Sequence, residues 1–140
     1  MNEYNKPLPA INDENRPFWD GCRAHRLMMQ KCRHCSHIRY PIQAVCPECL
    51  SEEVDWIVLS GRGEVLSRMV FHRAYHPGFK EDIPYNVVLV QLDEGPRIFS
   101  NVVGVDNAAV QVGMEVAVVF DDVTPEVTIP RFTPRLASSQ

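Results

Sequence analysis

KCRHCSHIRYPIQAVCPECL, residues 31–50, decides how the rest of the chain is read. Cys32, Cys35, Cys46 and Cys49 form two Cys-x-x-Cys pairs separated by ten residues. Each pair can turn two thiolates toward one ion. Two such turns at the tips of neighbouring hairpins complete the four-sulfur tetrahedron that a structural zinc prefers, with no coordination position left for substrate. The spacing therefore predicts a zinc ribbon whose metal is structural. Pro41 and Pro47 fix φ beside the pairs and lower the entropy cost of holding the ligands.

The ribbon occupies a small part of 140 residues, and the remainder is long enough for a modest core of its own. A hydrophobic content of 45% with 23% charged residues is that of a globular chain. Five cysteines, four of them in the two pairs, suit a reducing compartment better than a secreted disulfide framework. No apolar run approaches the roughly 20 residues that span a bilayer, and MNEYNKPLPAINDEN lacks a basic start followed by an apolar segment. A cytoplasmic protein without membrane association is expected. Cys22 stands apart from any motif and reads as a small buried hydrophobe.

Charge is distributed unevenly. Residues 1–45 carry seven Lys/Arg and four Asp/Glu, net +3, whereas residues 46–140 carry seven and fourteen, net −7, which sum to the −4 of the whole chain. Residues 21–45 contain no carboxylate, only Arg23, Arg26, Lys31, Arg33 and Arg39 with three histidines. Two readings stand side by side. These cations offset the negative charge left on a four-thiolate zinc site, or they form an anion-binding face for phosphates or an acidic partner.

In chain order, residues 1–14 read as an extended polar arm. RPFWDGCRAHR has Pro17 at a plausible first helical turn, Asp13 or Asn15 as caps, and Phe18 and Cys22 at helical spacing, which predicts a short amphipathic helix. Phe18 and Trp19 are adjacent and cannot share one narrow face, so one of them is a candidate partner contact. Ribbon strands are expected at 27–31 and 38–44, with 51–60 as a connector. Beyond it the periodicity is that of strands, at 63–73, 85–92, 97–103, 115–121 and 127–133, with turn chemistry at Asp93-Glu94-Gly95-Pro96 and Val112-Gly113. Val87-Val88-Leu89-Val90 is apolar on both faces, as in a covered central strand. Five strands with short turns close most economically as a Greek-key barrel of the OB type. The fold expected is mainly β: an arm and short helix at 1–26, a rubredoxin-like zinc ribbon at 27–54 and a five-stranded OB barrel at 55–140.

Two further features of the barrel half are weighed. His72 and His76, on one strand, would stand roughly 13 Å apart, too far to share a metal, and residues 74–84, with Pro77, Gly78 and Pro84, read as a long loop whose Tyr75, His76 and Phe79 line a groove. Asp121-Asp122 has no third oxygen ligand at useful spacing and reads as a solvated strand end. The chain has no Gly-rich phosphate loop, no Gly-x-Ser-x-Gly elbow and no His-Glu-x-x-His, so no catalytic apparatus is written in it.

Taken together, Pro17-Phe18-Trp19, the LMMQKCRHC lead-in, the CPEC pair, Ser60-Gly61-Arg62-Gly63, Pro84-Tyr85, Leu92-Asp93-Glu94-Gly95-Pro96-Arg97 and Val112-Gly113-Met114 resemble one family over nearly all of the chain after residue 14. It is the family of zinc-ribbon plus OB-fold proteins that accompany acyl-CoA enzymes. The resemblance implies a non-catalytic accessory subunit of a thiolase-type enzyme that stabilises a hetero-oligomer and helps to hold acyl-CoA. A hot-dog enoyl-CoA hydratase is the alternative partner. It also implies a structural Zn2+ on Cys32, Cys35, Cys46 and Cys49. Phe18, Trp19, Arg23, Arg26, Arg33 and Arg39 are the candidates for contact with CoA or the partner. Nucleic-acid binding by the OB half is disfavoured, because a net charge of −7 opposes the basic groove such modules use.

Elemental analysis of the purified chain is expected to find one zinc per chain. The Cys46→Ser variant should fail to fold normally, since metal binding supplies folding energy that so short a ribbon cannot obtain from burial.

Overall fold

Two asparagines exchange reciprocal side-chain hydrogen bonds just before the helix. The Asn12 backbone N–H donates to Asn15 Oδ1 at 2.8 Å, and the Asn15 N–H donates to Asn12 Oδ1 at 2.9 Å. Helix α1, Arg16–Arg23, follows with Asn15 as N-cap and Pro17 in its first turn. It ends in a Schellman arrangement: Arg26 N–H donates to the Gly21 carbonyl at 2.8 Å and His25 N–H to the Cys22 carbonyl at 2.9 Å. His25 takes the left-handed position there, with φ of 60°, where glycine is the usual occupant. The computed structural model describes residues 10–72 and 84–135; the expectations placed on residues 1–9 and on Tyr75, His76 and Phe79 lie outside them. No helix among the described residues is long and apolar enough to cross a membrane.

The ribbon is a three-stranded antiparallel sheet in the order β2-β1-β3, built from β1 Met28–Cys32, β2 Ile38–Arg39 and β3 Val54–Val58. Two expectations are corrected here. The segment 51–60 is more than a connector, because β3 pairs with β1 from Met28 opposite Val58 to Cys32 opposite Val54. The period-two pattern of VDWIV is weakened by Asp55, and its partner strand is 22 or more residues earlier, so local sequence concealed the pairing. The strand expected at 38–44 stops at Arg39, since Pro41 has no N–H to continue a ladder.

The second sheet has the order β6-β5-β4-β7-β8, from β4 Arg62–Phe71, β5 Tyr85–Leu92, β6 Arg97–Ser100, β7 Glu115–Asp122 and β8 Thr128–Pro134. All five strands expected in this half are present. The sheet curls until β8 meets the end of β6. Phe132 N–H donates to the Asn101 carbonyl at 2.9 Å, Val103 N–H donates to the Phe132 carbonyl at 2.8 Å, and Val102 bridges Phe132 in parallel. Asn86, buried on β5, extends this seam by taking both backbone groups of Val102 with its own amide. The fold is an OB-type barrel joined to a zinc ribbon.

One core serves both parts. Phe18 and Cys22 of α1, Leu27 and Met29 of the ribbon, and Val65, Val88, Val90, Val116 and Phe132 of the barrel belong to a single buried cluster. On β5 the buried residues are alternate ones, Asn86, Val88, Val90 and Leu92, so only one face of this apolar strand is fully covered. That differs from the expectation of cover on both sides: Val87 and Leu89 lie on the barrel's outer, half-exposed face.

Two motifs distant in sequence form one physical unit. Gly61 has φ of 79°, and a Cβ there would stand 2.3 Å from Val118 Cγ1. A Cβ on Gly63 would meet the Gln91 carbonyl oxygen at 2.5 Å and Val90 Cγ1 at 2.7 Å. Between them, the Ser60 N–H donates to Glu94 Oε2 at 2.8 Å and the Asp93 N–H to the Arg62 carbonyl at 2.9 Å. The Ser-Gly-Arg-Gly segment thus packs under the β5–β6 hairpin, and only glycine leaves room for it. Gly63→Ala is expected to destabilise the chain by about 2 kcal/mol or more, because the clash is with backbone that cannot move aside; chemical denaturation of the zinc-loaded protein measures it.

Candidate metal centre and the basic face around it

Each Cys-x-x-Cys pair closes the same turn. Ser36 N–H donates to the Cys32 carbonyl at 3.0 Å, and Leu50 N–H to the Cys46 carbonyl at 2.8 Å. The first cysteine of each pair then donates its N–H outward, Cys32 to His37 and Cys46 to Ser51, both at 2.9 Å. Ser36 and Leu50 hold the left-handed conformation, with φ of 68° and 66°. The two turns are therefore equivalent copies set fourteen residues apart, one hung on β1 and β2 and the other on the loop leading to β3.

Their sulfurs converge. All four Sγ atoms lie within 4.8 Å of one another, with Cys32 to Cys49 at 3.5 Å and Cys35 to Cys46 at 3.6 Å. Zn–S bonds of about 2.3 Å in a tetrahedron place sulfurs roughly 3.8 Å apart, so the donor set fits zinc. Backbone N–H groups of His34 and Cys35 approach Cys32 Sγ at 3.3 and 3.5 Å. The Cys35 and His34 N–H groups hold the Cys32 thiol down to about 6 against the effect of burial. For Cys49, the N–H contributed near Ser51 favours the thiolate, but desolvation and the three facing thiols push it up to about 12. Four crowded thiols cannot all ionise alone, and a bound cation removes that conflict. When bound, the metal joins the two turns; Cys32, Cys35, Cys46 and Cys49 would hold it. Cys22, by contrast, is fully buried and its thiol is pushed up to about 12 by desolvation, an inert packing group.

The other candidate residues divide into surface and interior. Phe18 is 1% exposed and belongs to the core, with Trp19 edge-on to it at 4.9 Å and Tyr40 at 5.7 Å. Trp19 is half-buried and, with Tyr40, Phe99 and Ile129, lines a small cavity of about 160 Å3 where helix, ribbon and barrel meet. Arg23 and Arg26 are exposed and make no ion pair among the described residues. Arg33 is exposed but occupied, its Nε 2.8 Å from Asp55 Oδ1 across the β1–β3 ladder. Arg39 is buried, and its guanidinium donates to the Gln43 carbonyl. The four candidate arginines are thus two exposed without an ion pair among the described residues, one paired and one enclosed. Sequence reasoning missed Tyr40, Gln43 and Glu94, which share a cleft with Arg39; no local signal marks them, because the cleft joins residues 36–47 to the β5–β6 hairpin.

Comparison with known proteins decides the family. Residues 19–55 match the ChsH2 rubredoxin-like zinc ribbon domain, and residues 56–121 match the ChsH2 C-terminal OB-fold domain. The chain belongs to this zinc-ribbon and OB-fold family. It is 36% identical over 135 residues to the probable enoyl-CoA hydratase alpha subunit of Thermomonospora curvata, covering 96% of this chain and 42% of that one. It therefore spans less than half the length of that relative. It is 30% identical over 97 residues to the benzoylsuccinyl-CoA thiolase subunit BbsA of Thauera aromatica, covering 69% of this chain and 60% of that one. Among solved structures, the family likeness extends to a chain of the Ltp2-ChsH2(DUF35) aldolase, with a TM-score of 0.84 and 36% identity over 92% of this chain and all of that one.

Within the family fold, His25 ties the helix to the barrel. Its ring stacks on Phe120 at 5.3 Å, and Nε2 lies 3.1 Å from Asp122 Oδ1. The Thr128 hydroxyl donates to the same carboxylate at 2.5 Å. Thr128 first, then His25, hold the Asp122 carboxyl below its usual value of 3.8. A lowered folded value means that this contribution to stability is complete above pH 3.8 and lost as pH falls through the lower folded value. Asp122→Asn is therefore expected to be less stable at neutral pH and to lose less on acidification than the parent, read as the difference between their stability profiles.

Proposed function

We propose that this chain is a non-catalytic accessory subunit of a thiolase-type acyl-CoA enzyme, one that steadies the complex and helps to hold its acyl-CoA. The observation that carries this reading is the likeness, over 92% of this chain, to a chain of the Ltp2-ChsH2(DUF35) aldolase. The donor set supports it, since four thiolates at tetrahedral spacing make a closed structural site rather than a reacting one. Arg23, the last residue of α1 and one helical turn past the half-buried Trp19, and Arg26 just beyond the helix are exposed and offer donors for the phosphates of an elongated ligand whose acyl end needs an apolar surface. A four-thiol metal site suits a reducing compartment, which supports a cytoplasmic assembly.

A hydratase-type partner is the second reading, favoured by the likeness to an enoyl-CoA hydratase alpha subunit over 96% of this chain.

The test is recovery of the tagged chain from its native host, followed by calorimetry of the isolated complex with CoA. A thiolase-type enzyme is expected to co-purify, and a hydratase would select the second reading. Replacing Arg23 and Arg26 together by Ala should weaken CoA binding roughly tenfold or more, the scale of one lost charge-assisted hydrogen bond. Recovery of no acyl-CoA enzyme, together with no CoA binding, would sink the proposal.

A further inference from the structure

A cleft of about 420 Å3 separates the ribbon from the β5–β6 hairpin, with Arg39, Tyr40 and Gln43 on one wall and Glu94 and Pro96 on the other. Arg39 is only 2% exposed. A guanidinium has five N–H donors; Nε and Nη2 each give one to the Gln43 carbonyl, at 3.2 and 2.9 Å, and Nη1 has no acceptor. The edge formed by Nη1 and the remaining Nη2 hydrogen is an unused two-pronged fork, shielded from solvent at Nη1, so a ligand reaches it only as the cleft wall shifts. A cation held out of water without a counter-charge is costly, and a hydrogen-bonded carboxylate is its usual complement. Among the described residues no carboxylate pairs with it. Glu94, the carboxylate lining the cleft, accepts from the Ser60 N–H at 2.8 Å and the Ser60 hydroxyl at 3.4 Å, and residues 21–45 contain no acid.

We propose that this cleft receives an acidic side chain, aspartate or glutamate, of the enzyme subunit, paired to the free fork of Arg39. The proposal rests on the accessory-subunit reading. Three observations select a side-chain carboxylate. The planar fork matches two carboxylate oxygens side by side. Glu94 in the opposite wall offsets the charge of Arg39, so the cleft holds no surplus positive charge to favour a dianionic phosphate over a single carboxylate. Tyr40, Pro47 and Pro96 provide walls for the methylenes and backbone that carry such a group. Arg39 itself is a positioning and recognition residue, set by its hold on Gln43, whose N–H in turn donates to the buried Gln30 Oε1 at 2.9 Å.

The test uses the full, zinc-loaded chain and does not need the partner. Capped glutamate is titrated against capped glutamine and inorganic phosphate, with NMR of the Arg39 Nε–H and the Tyr40, Gln43 and Gly95 amides. Glutamate alone is expected to shift these signals saturably, and Arg39→Lys should weaken it roughly tenfold by removing the fork while keeping the charge. Equal response to glutamine, or tighter binding of phosphate, would overturn the assignment. So would an Arg39→Lys variant that releases zinc more readily while binding glutamate unchanged, since Arg39 would then serve the thiolate cluster. A negative titration beside successful recovery of an enzyme partner would discard this subsite and leave the accessory reading standing.

Discussion

Convergence of four sulfurs is the constraint on which the rest depends. The ribbon has one very short strand, β2, and few residues to bury, so its two turns have no apolar reason to face each other. Zinc supplies that reason. Once the turns are joined, β1 is held between β2 and β3, and its buried side chains Met29 and Cys32 point into a defined interior. Leu27, immediately before β1, then meets Leu59, whose N–H donates to the Leu27 carbonyl at 2.8 Å, and the ribbon runs into the barrel core without a break.

The helix completes this arrangement. Phe18 and Cys22 fill the junction from one side, and Gly21 lets α1 approach Met28, because a Cβ there would stand 2.8 Å from Met28 Cγ. His25 accepts a backbone conformation that favours glycine and in return places its ring on Phe120 and its Nε2 beside Asp122. Helix, ribbon and barrel are consequently one packed unit. The exposed cations Arg23 and Arg26 stand on a surface whose position relative to the barrel is set by packing, which is what a docking subunit requires.

Much of this was legible in the chain. The Cys-x-x-Cys pairs named the metal and its ligands, because tetrahedral coordination leaves a spacing signature that no other constraint produces as readily. Pro17, Asn15 and the Phe18–Cys22 spacing placed the start of the helix, although the stretch read as helical ran to Arg26 and the helix ends at Arg23, and all five barrel strands were visible from period-two patterning and Gly or Pro turns. The third ribbon strand was not visible, since Val54–Val58 is short and carries Asp55, and its pairing to β1 is a long-range event. The roles of the arginines were equally hidden. Arg33 and Arg39 look alike in sequence, yet one is exposed and paired to Asp55 while the other is enclosed beside Gln43.

Sequence alone therefore determined which elements this protein makes and which atoms gather at its metal site, because turn chemistry, strand periodicity and ligand spacing act over a few residues. Tertiary structure decided which of the marked residues reach solvent, that Phe18 is core while Trp19 lies at a three-way junction, and that Glu94 faces Arg39 across a cleft. These depend on closure of the barrel and on docking of the ribbon against the β5–β6 hairpin, which join residues from about thirty to over fifty positions apart and leave no local trace.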